Sequence, residues 1–277
     1  MRAPRKRSNA NIYHVVQRGV GQQIIFENDD DRKRFVSLVS RFLEEVPAQS
    51  EAGQQNDSLL SSKPRVLAWC IMSNHVHMML QIDHGDLALF MKKLGVAYAR
   101  YFNDTHRRSG HLFQDRFWSE AVDDDAYFMQ LVRYIHRNPA EAGVAQMASY
   151  PWCSYGECLG RGLRLLDAEG RKFVLGVFGG LDAFRDFHSS AGEDALAIET
   201  PWAKAGRVVN TDEEALRKAR EVLGGVEVYD LKSQPKAERD RLLCKLRESG
   251  LSVRQIARIT GIGRGIVSRA ASEKMKM

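Results

Sequence analysis

The order of apolar and polar residues predicts a mixed α and β domain followed by a small helical one. Residues 12–17 read as a strand, and residues 30–45 place Phe35, Leu38, Val39, Phe42 and Leu43 at the spacing of a helix with one buried face. Residues 47–64 are rich in Ser, Gln, Ala and Asn without periodicity, which predicts a long polar loop. Two apolar runs, 66–72 and 76–82, flank Ser73-Asn74 and read as a hairpin. Helices are predicted over 87–103 and 125–137, the second stopped by Pro139, because proline disfavours helix in the residue before it. This order, completed by one further strand, predicts an α+β fold: a ferredoxin-like antiparallel sheet with helices on one face.

Beyond this domain, assigned to residues 1–160, the pattern fades. Residues 161–235 hold glycine pairs and a short helix at 211–223, and read as a connector with local structure. Periodicity returns at 236–277 with helices over 238–249 and 252–259 and a third from Arg264. Ser252 suits a helix cap, Gly261 a turn with positive φ, and Ile256, Ile259, Ile262 and Val267 a small shared core. The expectation is an all-α helix-turn-helix domain.

Composition narrows the functional classes. The chain has 277 residues, 44% apolar and 27% charged, enough for a sizeable core and a second, smaller unit. The longest apolar run is too short to cross a bilayer and the basic start is not followed by a signal-type apolar stretch, so no membrane contact and a cytoplasmic location are expected. Four cysteines without a CxxC pair predict reduced thiols rather than a disulfide framework or structural zinc. Of the net charge of +6, residues 236–277 carry +7 (eleven Lys and Arg against four Asp and Glu), which leaves −1 for the rest. A basic module on a near-neutral body fits a polyanion partner. Arg254, Arg258, Arg264 and Arg269 fall outside the apolar set of the module and are its expected contacts to duplex DNA.

Candidate chemistry begins with His75 and His77. Residues two apart on a strand project from one face, so the pair offers two imidazoles side by side while Val76 turns into the core. Two histidines and an oxygen can hold a divalent ion that binds a phosphate oxygen and orients in-line attack. A tyrosine can then attack and retain the phosphate. Spacing does not choose among the eight tyrosines, and by pattern alone Tyr134 reads as a core residue on the stripe of Tyr127 and Leu131. The acidic runs at 29–31 and 123–125 read as helix starts rather than metal ligands. Arg116, beside Phe113, Phe117 and Trp118, has the composition of a single-strand contact.

Four ordered blocks within residues 10–160, together with Tyr134-Ile135-His136-Arg137-Asn138-Pro139, resemble the REP-associated tyrosine transposases, a branch of the HUH single-strand DNA endonucleases. The blocks are His14-Val15-Val16-Gln17-Arg18-Gly19, Met72-Ser73-Asn74-His75-Val76-His77, Gly110-His111-Leu112-Phe113-Gln114-Asp115-Arg116-Phe117 and Tyr150-Pro151-Trp152-Cys153-Ser154-Tyr155. The resemblance implies a Mg²⁺ or Mn²⁺ site on His75 and His77, with Asn138 as a further ligand, and Tyr134 forming a 5′-phosphotyrosine while releasing a 3′-hydroxyl. It also implies cleavage and rejoining of single-stranded DNA at hairpin-forming repeats. Ser73 stands where the family usually has proline, Arg137 where an apolar residue is frequent and Cys153 where serine is frequent. Two alternatives stand beside this reading: a domesticated DNA-binding regulator that no longer cuts, and a replication initiator or relaxase with the same paired histidines. Monomer and homodimer are both left open.

Overall fold

A computed structural model describes residues 6–45, 60–162, 165–190 and 211–273. Most of the loop expected over 47–64, with Arg2 and Arg5 of the basic start, lies outside these residues. The chain divides into two compact units, one of Met1–Arg18 with Ile25–Gly206 and one of Gly19–Ile24 with Arg207–Met277.

The first unit is built on β1 (Ile12–Arg18), α1 (Asp29–Glu44), β2 (Arg65–Ile71), β3 (His75–Gln81), α2 (His84–Thr105), β4 (Trp118–Ala121) and α3 (Asp125–Glu141). The four strands form one antiparallel sheet in the order β2-β3-β1-β4, the ferredoxin-like arrangement expected from the pattern. The acidic runs do start helices. Asn28 and Asp31 exchange side-chain and backbone hydrogen bonds in a capping box at α1, and the Asp124 carboxylate accepts the Tyr127 N–H at α3.

Alternation fixes the two faces of the sheet. Tyr13 and His14 point to opposite sides. The Tyr13 hydroxyl meets His84 Nδ1 at the start of α2 at 3.1 Å, whereas the His14 ring approaches Tyr134 on α3. To the one helical face expected, α3 therefore adds a second layer, lying against β2 and β3. The fully buried Trp69, Tyr13, Phe26, Phe35 and Tyr98 anchor the core.

Two expectations change. Pro139 does not stop α3: the helix runs on to Glu141, and the Ala142 N–H still reaches the Asn138 carbonyl at 3.0 Å. Proline forfeits one helical donor, its own, and the buried face of α3 outweighs that loss. Within the stretch 161–235, read as a connector, the described residues pack into the cores of the two units. Helix α4 (Tyr155–Cys158), α5 (Ala168–Val177) and α6 (Leu181–Ser189) belong to the first unit, whose core takes in Cys158, Val174, Phe178 and Phe184. From α7 (Thr211–Leu223) onward the chain belongs to the second unit. Short helices with scattered apolar residues gave little period to read, but each sends a residue into the core, Cys158, Val174 and Phe184 in turn.

The second unit is all helical, with α7, α8 (Lys236–Glu248), α9 (Val253–Thr260) and α10 (Arg264–Glu273). Its core joins Ile24, Ala219, Leu243 and Leu246 to Ile256, Ile259, Ile262 and Val267. Ser252 caps α9 in a capping box with Gln255, and Gly261 ends it at φ +66°, a conformation other residues adopt at a cost. Among the described residues no helix is long and apolar enough to cross a membrane.

Candidate active site

The central strands bring the paired histidines together with groups far away in sequence. Antiparallel register sets His75 opposite Arg18 and His77 opposite Val16 on β1 and Cys70 on β2. Directly paired residues share a face, so His14, Arg18, His75 and His77 all stand on the side covered by α3. The His75 and His77 rings lie edge to face with centroids 4.9 Å apart, and the Tyr134 ring stands edge-on to His77 at 5.5 Å. Asn138, one turn after Tyr134, brings its Oδ1 to 3.3 Å from His75 Nε2. The continuation of α3 through Pro139 keeps Asn138 on this face.

The tyrosine hydroxyls differ in what they meet. The Tyr127 hydroxyl donates to Glu120 Oε2 at 2.7 Å, Tyr101 to Asp31 Oδ1, and Tyr98 and Tyr150 to the backbone carbonyls of Ile25 and Ile71. Tyr134 is the one whose ring meets His77. Burial raises its pKa, while the hydrogen bond from Asn138 and the charge of Arg18 act in the opposite sense, toward the phenolate.

Burial also keeps the histidines neutral. It lowers His75 to about 3, with the charge of Arg18 adding to the effect, and pushes His77 well below its ordinary value. A neutral imidazole has one N–H and one lone pair. His75 Nδ1 lies 2.6 Å from Asn74 Oδ1, an acceptor, so its proton belongs there. The Nε2 lone pair and Asn138 Oδ1 then face one another as two acceptors, a pair that could hold a cation.

Pattern reading missed His14, Asn74 and Arg18. His14 is fully buried, and its Nε2 lies 2.9 Å from His77 Nδ1. A histidine inside the apolar run Tyr13 to Val16 was the available signal. Arg116 is exposed on the loop before β4, and the Gln114 N–H donates to the Arg18 carbonyl at 2.9 Å, which ties that loop to the site end of β1. Its aromatic neighbours turn inward: Phe117 is buried and Trp118 packs edge-on against His14 at 5.3 Å. Arg254, Arg264 and Arg269 are exposed on the second unit, and Arg258 is half-buried there.

The helix bearing Tyr134 is fixed by a second histidine pair. His188 Nδ1 donates to the Phe184 carbonyl at 2.8 Å, so its Nε2 accepts from His136 Nδ1 at 3.0 Å, and His136 Nε2 lies 2.8 Å from Ser154 Oγ. This chain ties α3 to α6 and to the segment that pairs with β2.

Another cluster has the composition of a metal site. Ligand atoms of Glu27, Asp31 and His106 lie within 4.8 Å of one another. Yet both ring nitrogens of His106 already serve carboxylates, Nδ1 with Glu27 at 2.7 Å and Nε2 with Asp31 at 2.9 Å, so we read the group as an ion triad. Burial alone would lower His106, but the bonds to Asp31 and Glu27 and their charges lift it to about 9; burial raises Glu27 to about 7 against the pull of His106. A histidine pKa raised in the folded state gives stability that is whole below pH 6.5 and lost as pH climbs through 9. Glu27 acts in the same direction at lower pH. The melting temperature should therefore fall between pH 7 and pH 9.5, by a loss on the order of 2 kcal/mol, and a denaturation series should show the fall flattened in His106→Gln. An equal fall in that variant would mean the triad does not titrate as described.

Residues 55–138 match the family described as Transposase IS200 like. The chain resembles IS200-like transposases there. The matched stretch holds His75 and His77 and runs through Tyr134 to Asn138, whereas His14 and Arg18 lie before it. None of the curated proteins matches the chain. Among solved structures, the chain is similar to one described as a REP-associated tyrosine transposase bound to a REP hairpin. The identity is 16% and the TM-score 0.43, with 59% of this chain and 88% of the other covered.

Proposed function

We propose that the protein cleaves and rejoins single-stranded DNA through a covalent bond to Tyr134, at hairpin-forming repeats, with Mg²⁺ or Mn²⁺ held by His75, His77 and Asn138. The observation that carries this reading is the approach of three groups from two elements: neutral His75 and His77 on β3, and the Tyr134 to Asn138 turn of α3 that meets both rings. The match to IS200-like transposases supports it. When bound, the ion neutralises a non-bridging phosphate oxygen. Two imidazoles and an amide oxygen suit Mn²⁺ better than the harder Mg²⁺, which keeps to oxygen ligands.

The protein's own groups do the rest. The Tyr134 Oη attacks phosphorus in line, the bond to the 3′ oxygen breaks, and a 5′-phosphotyrosine forms while the 3′-hydroxyl leaves with a proton. Because burial raises the tyrosine pKa, its proton departs during attack rather than before it. The Asn138 amide and the Arg18 charge stabilise the oxygen as it loses that proton. The phosphotyrosine conserves the phosphodiester energy, so a DNA hydroxyl reverses the step without ATP. In this reading Arg116, exposed on the loop tied to the Arg18 carbonyl, holds the strand backbone.

The test is incubation of the full chain with Mn²⁺ and single-stranded DNA carrying the repeats that flank its own gene. A denaturant-resistant adduct that chelator prevents is the expected result. Cleavage that persists in chelator would sink the metal reading.

The second unit we assign to duplex DNA, as a helix-turn-helix with Arg254, Arg258, Arg264 and Arg269 toward phosphates and base edges. Each phosphate contact releases about one counterion. Replacing Arg254 and Arg264 with Ala should lower the slope of log affinity against log salt by about 2. Fluorescence anisotropy on duplex DNA measures it, and an unchanged slope would place the contacts elsewhere.

A further inference from the structure

We propose that His14 is a positioning residue that sets the tautomer of His77, by accepting the Nδ1 hydrogen of that ring and so leaving its Nε2 bare for a divalent cation. The inference rests on the metal reading of His75 and His77 and extends it to a residue outside the expected ligand set.

The geometry is specific. His14 and His77 lie on adjacent strands, their rings nearly parallel at 13° with centroids 5.2 Å apart, and one hydrogen sits between His14 Nε2 and His77 Nδ1 at 2.9 Å. The Trp118 ring stands edge-on against His14 at 5.3 Å and the Tyr134 ring at 6.5 Å, which holds the imidazole in plane. His14 is wholly buried and its Nε2 is taken up by His77, so it meets the site through that ring.

Two placements of the shared hydrogen exist for neutral rings. If His14 donates, His77 Nδ1 is the acceptor, and the other nitrogen of His77 carries a hydrogen into the site where a ligand lone pair is needed. If His77 donates, its Nε2 is a free lone pair, and His14 must carry its own hydrogen on Nδ1. That nitrogen has no hydrogen-bond partner among the described residues. An apolar residue at position 14 would spare this burial of an unsatisfied polar atom, so packing does not account for a histidine there. Orientation of a ligand by its second nitrogen does. His75 shows the same design, with Nδ1 given to Asn74 Oδ1 and Nε2 turned to the site. Two neighbouring histidines are thus each tied at Nδ1, one by an amide and one by a third histidine.

The test compares the full chain with His14→Phe, which keeps a flat ring without an acceptor, and His14→Gln, which offers an amide oxygen. Mn²⁺ binding, followed by electron paramagnetic resonance of the free ion, should weaken roughly 10- to 100-fold in H14F, and H14Q should recover most of that loss. In the Mg²⁺-saturated wild-type chain, long-range proton to nitrogen-15 correlations should place the His77 hydrogen on Nδ1, a readout that does not depend on how well a variant folds. Wild-type affinity in H14F, equal weakening in H14F and H14Q, or a His77 hydrogen on Nε2 in the loaded protein would each overturn the proposal alone. Failure of the wild-type chain to bind Mn²⁺ would bring down the metal reading and this proposal with it.

Discussion

Tyr134→Phe should yield no covalent DNA adduct, a loss of cleavage of at least about a thousandfold, the scale on which removal of a nucleophile acts. The substitution takes away one oxygen and leaves the ring edge-on to His77 and packed on the core. Tyr134 is only partly buried and its hydroxyl serves Asn138, so the expected stability change is within about 1 kcal/mol. Thermal unfolding should therefore be near wild type while the adduct, read by denaturing gel after incubation with Mn²⁺, is absent. A surviving adduct would move the nucleophile elsewhere. Tyr127 is the nearest contender on the same helix, but its hydroxyl is bound to Glu120 and its pKa is raised, first by burial and then by that carboxylate. The same result in Tyr127→Phe would exchange the assignment.

His75→Ala should remove both cleavage and tight Mn²⁺ binding, with affinity falling about a hundredfold or more, since a lost ligand costs at least what a lost supporting residue does. The substitution also leaves Asn74 and Asn138 without the ring they flank, on a strand whose register is set elsewhere by its apolar residues. Chelator added to the wild-type chain should reproduce the activity defect without the substitution. If H75A kept its Mn²⁺ affinity, measured by calorimetry, the ion would sit elsewhere, and the Glu27, Asp31 and His106 cluster would have to be reconsidered.

What could be read from the sequence divides along physical lines. The hairpin holding His75 and His77 was legible because two apolar runs around a polar pair have few other solutions, and α9 because its cap, its glycine and its isoleucines all agree. Asn138 was harder. A proline one residue later argues for a helix end, and only the packing of α3 on the sheet shows that the helix continues and carries Asn138 to His75. The position of α5 and α6 was not legible, because their ties to α3, Phe173 against Phe128 and His188 against His136, join residues tens of positions apart and leave no local period. His14 could have been noticed as a polar residue inside an apolar strand. Its meaning required the register, which sets β1 beside β3 and not beside β2.

The segment after α3 has an effect on the sheet as a whole. The Ile71 N–H donates to the Trp152 carbonyl and the Ser154 N–H to the Trp69 carbonyl, each at 2.9 Å, and the backbones of Cys70 and Cys153, both free thiols, pair antiparallel between them. The outer margin of β2 is thereby already engaged, and at the opposite margin β4 is four residues long. Open strand margins are where chains add to one another and aggregate. A sheet stapled along one side and nearly absent on the other gives a second copy little to extend, so the first unit should stay dispersed at concentrations where an unprotected four-stranded sheet would build fibres.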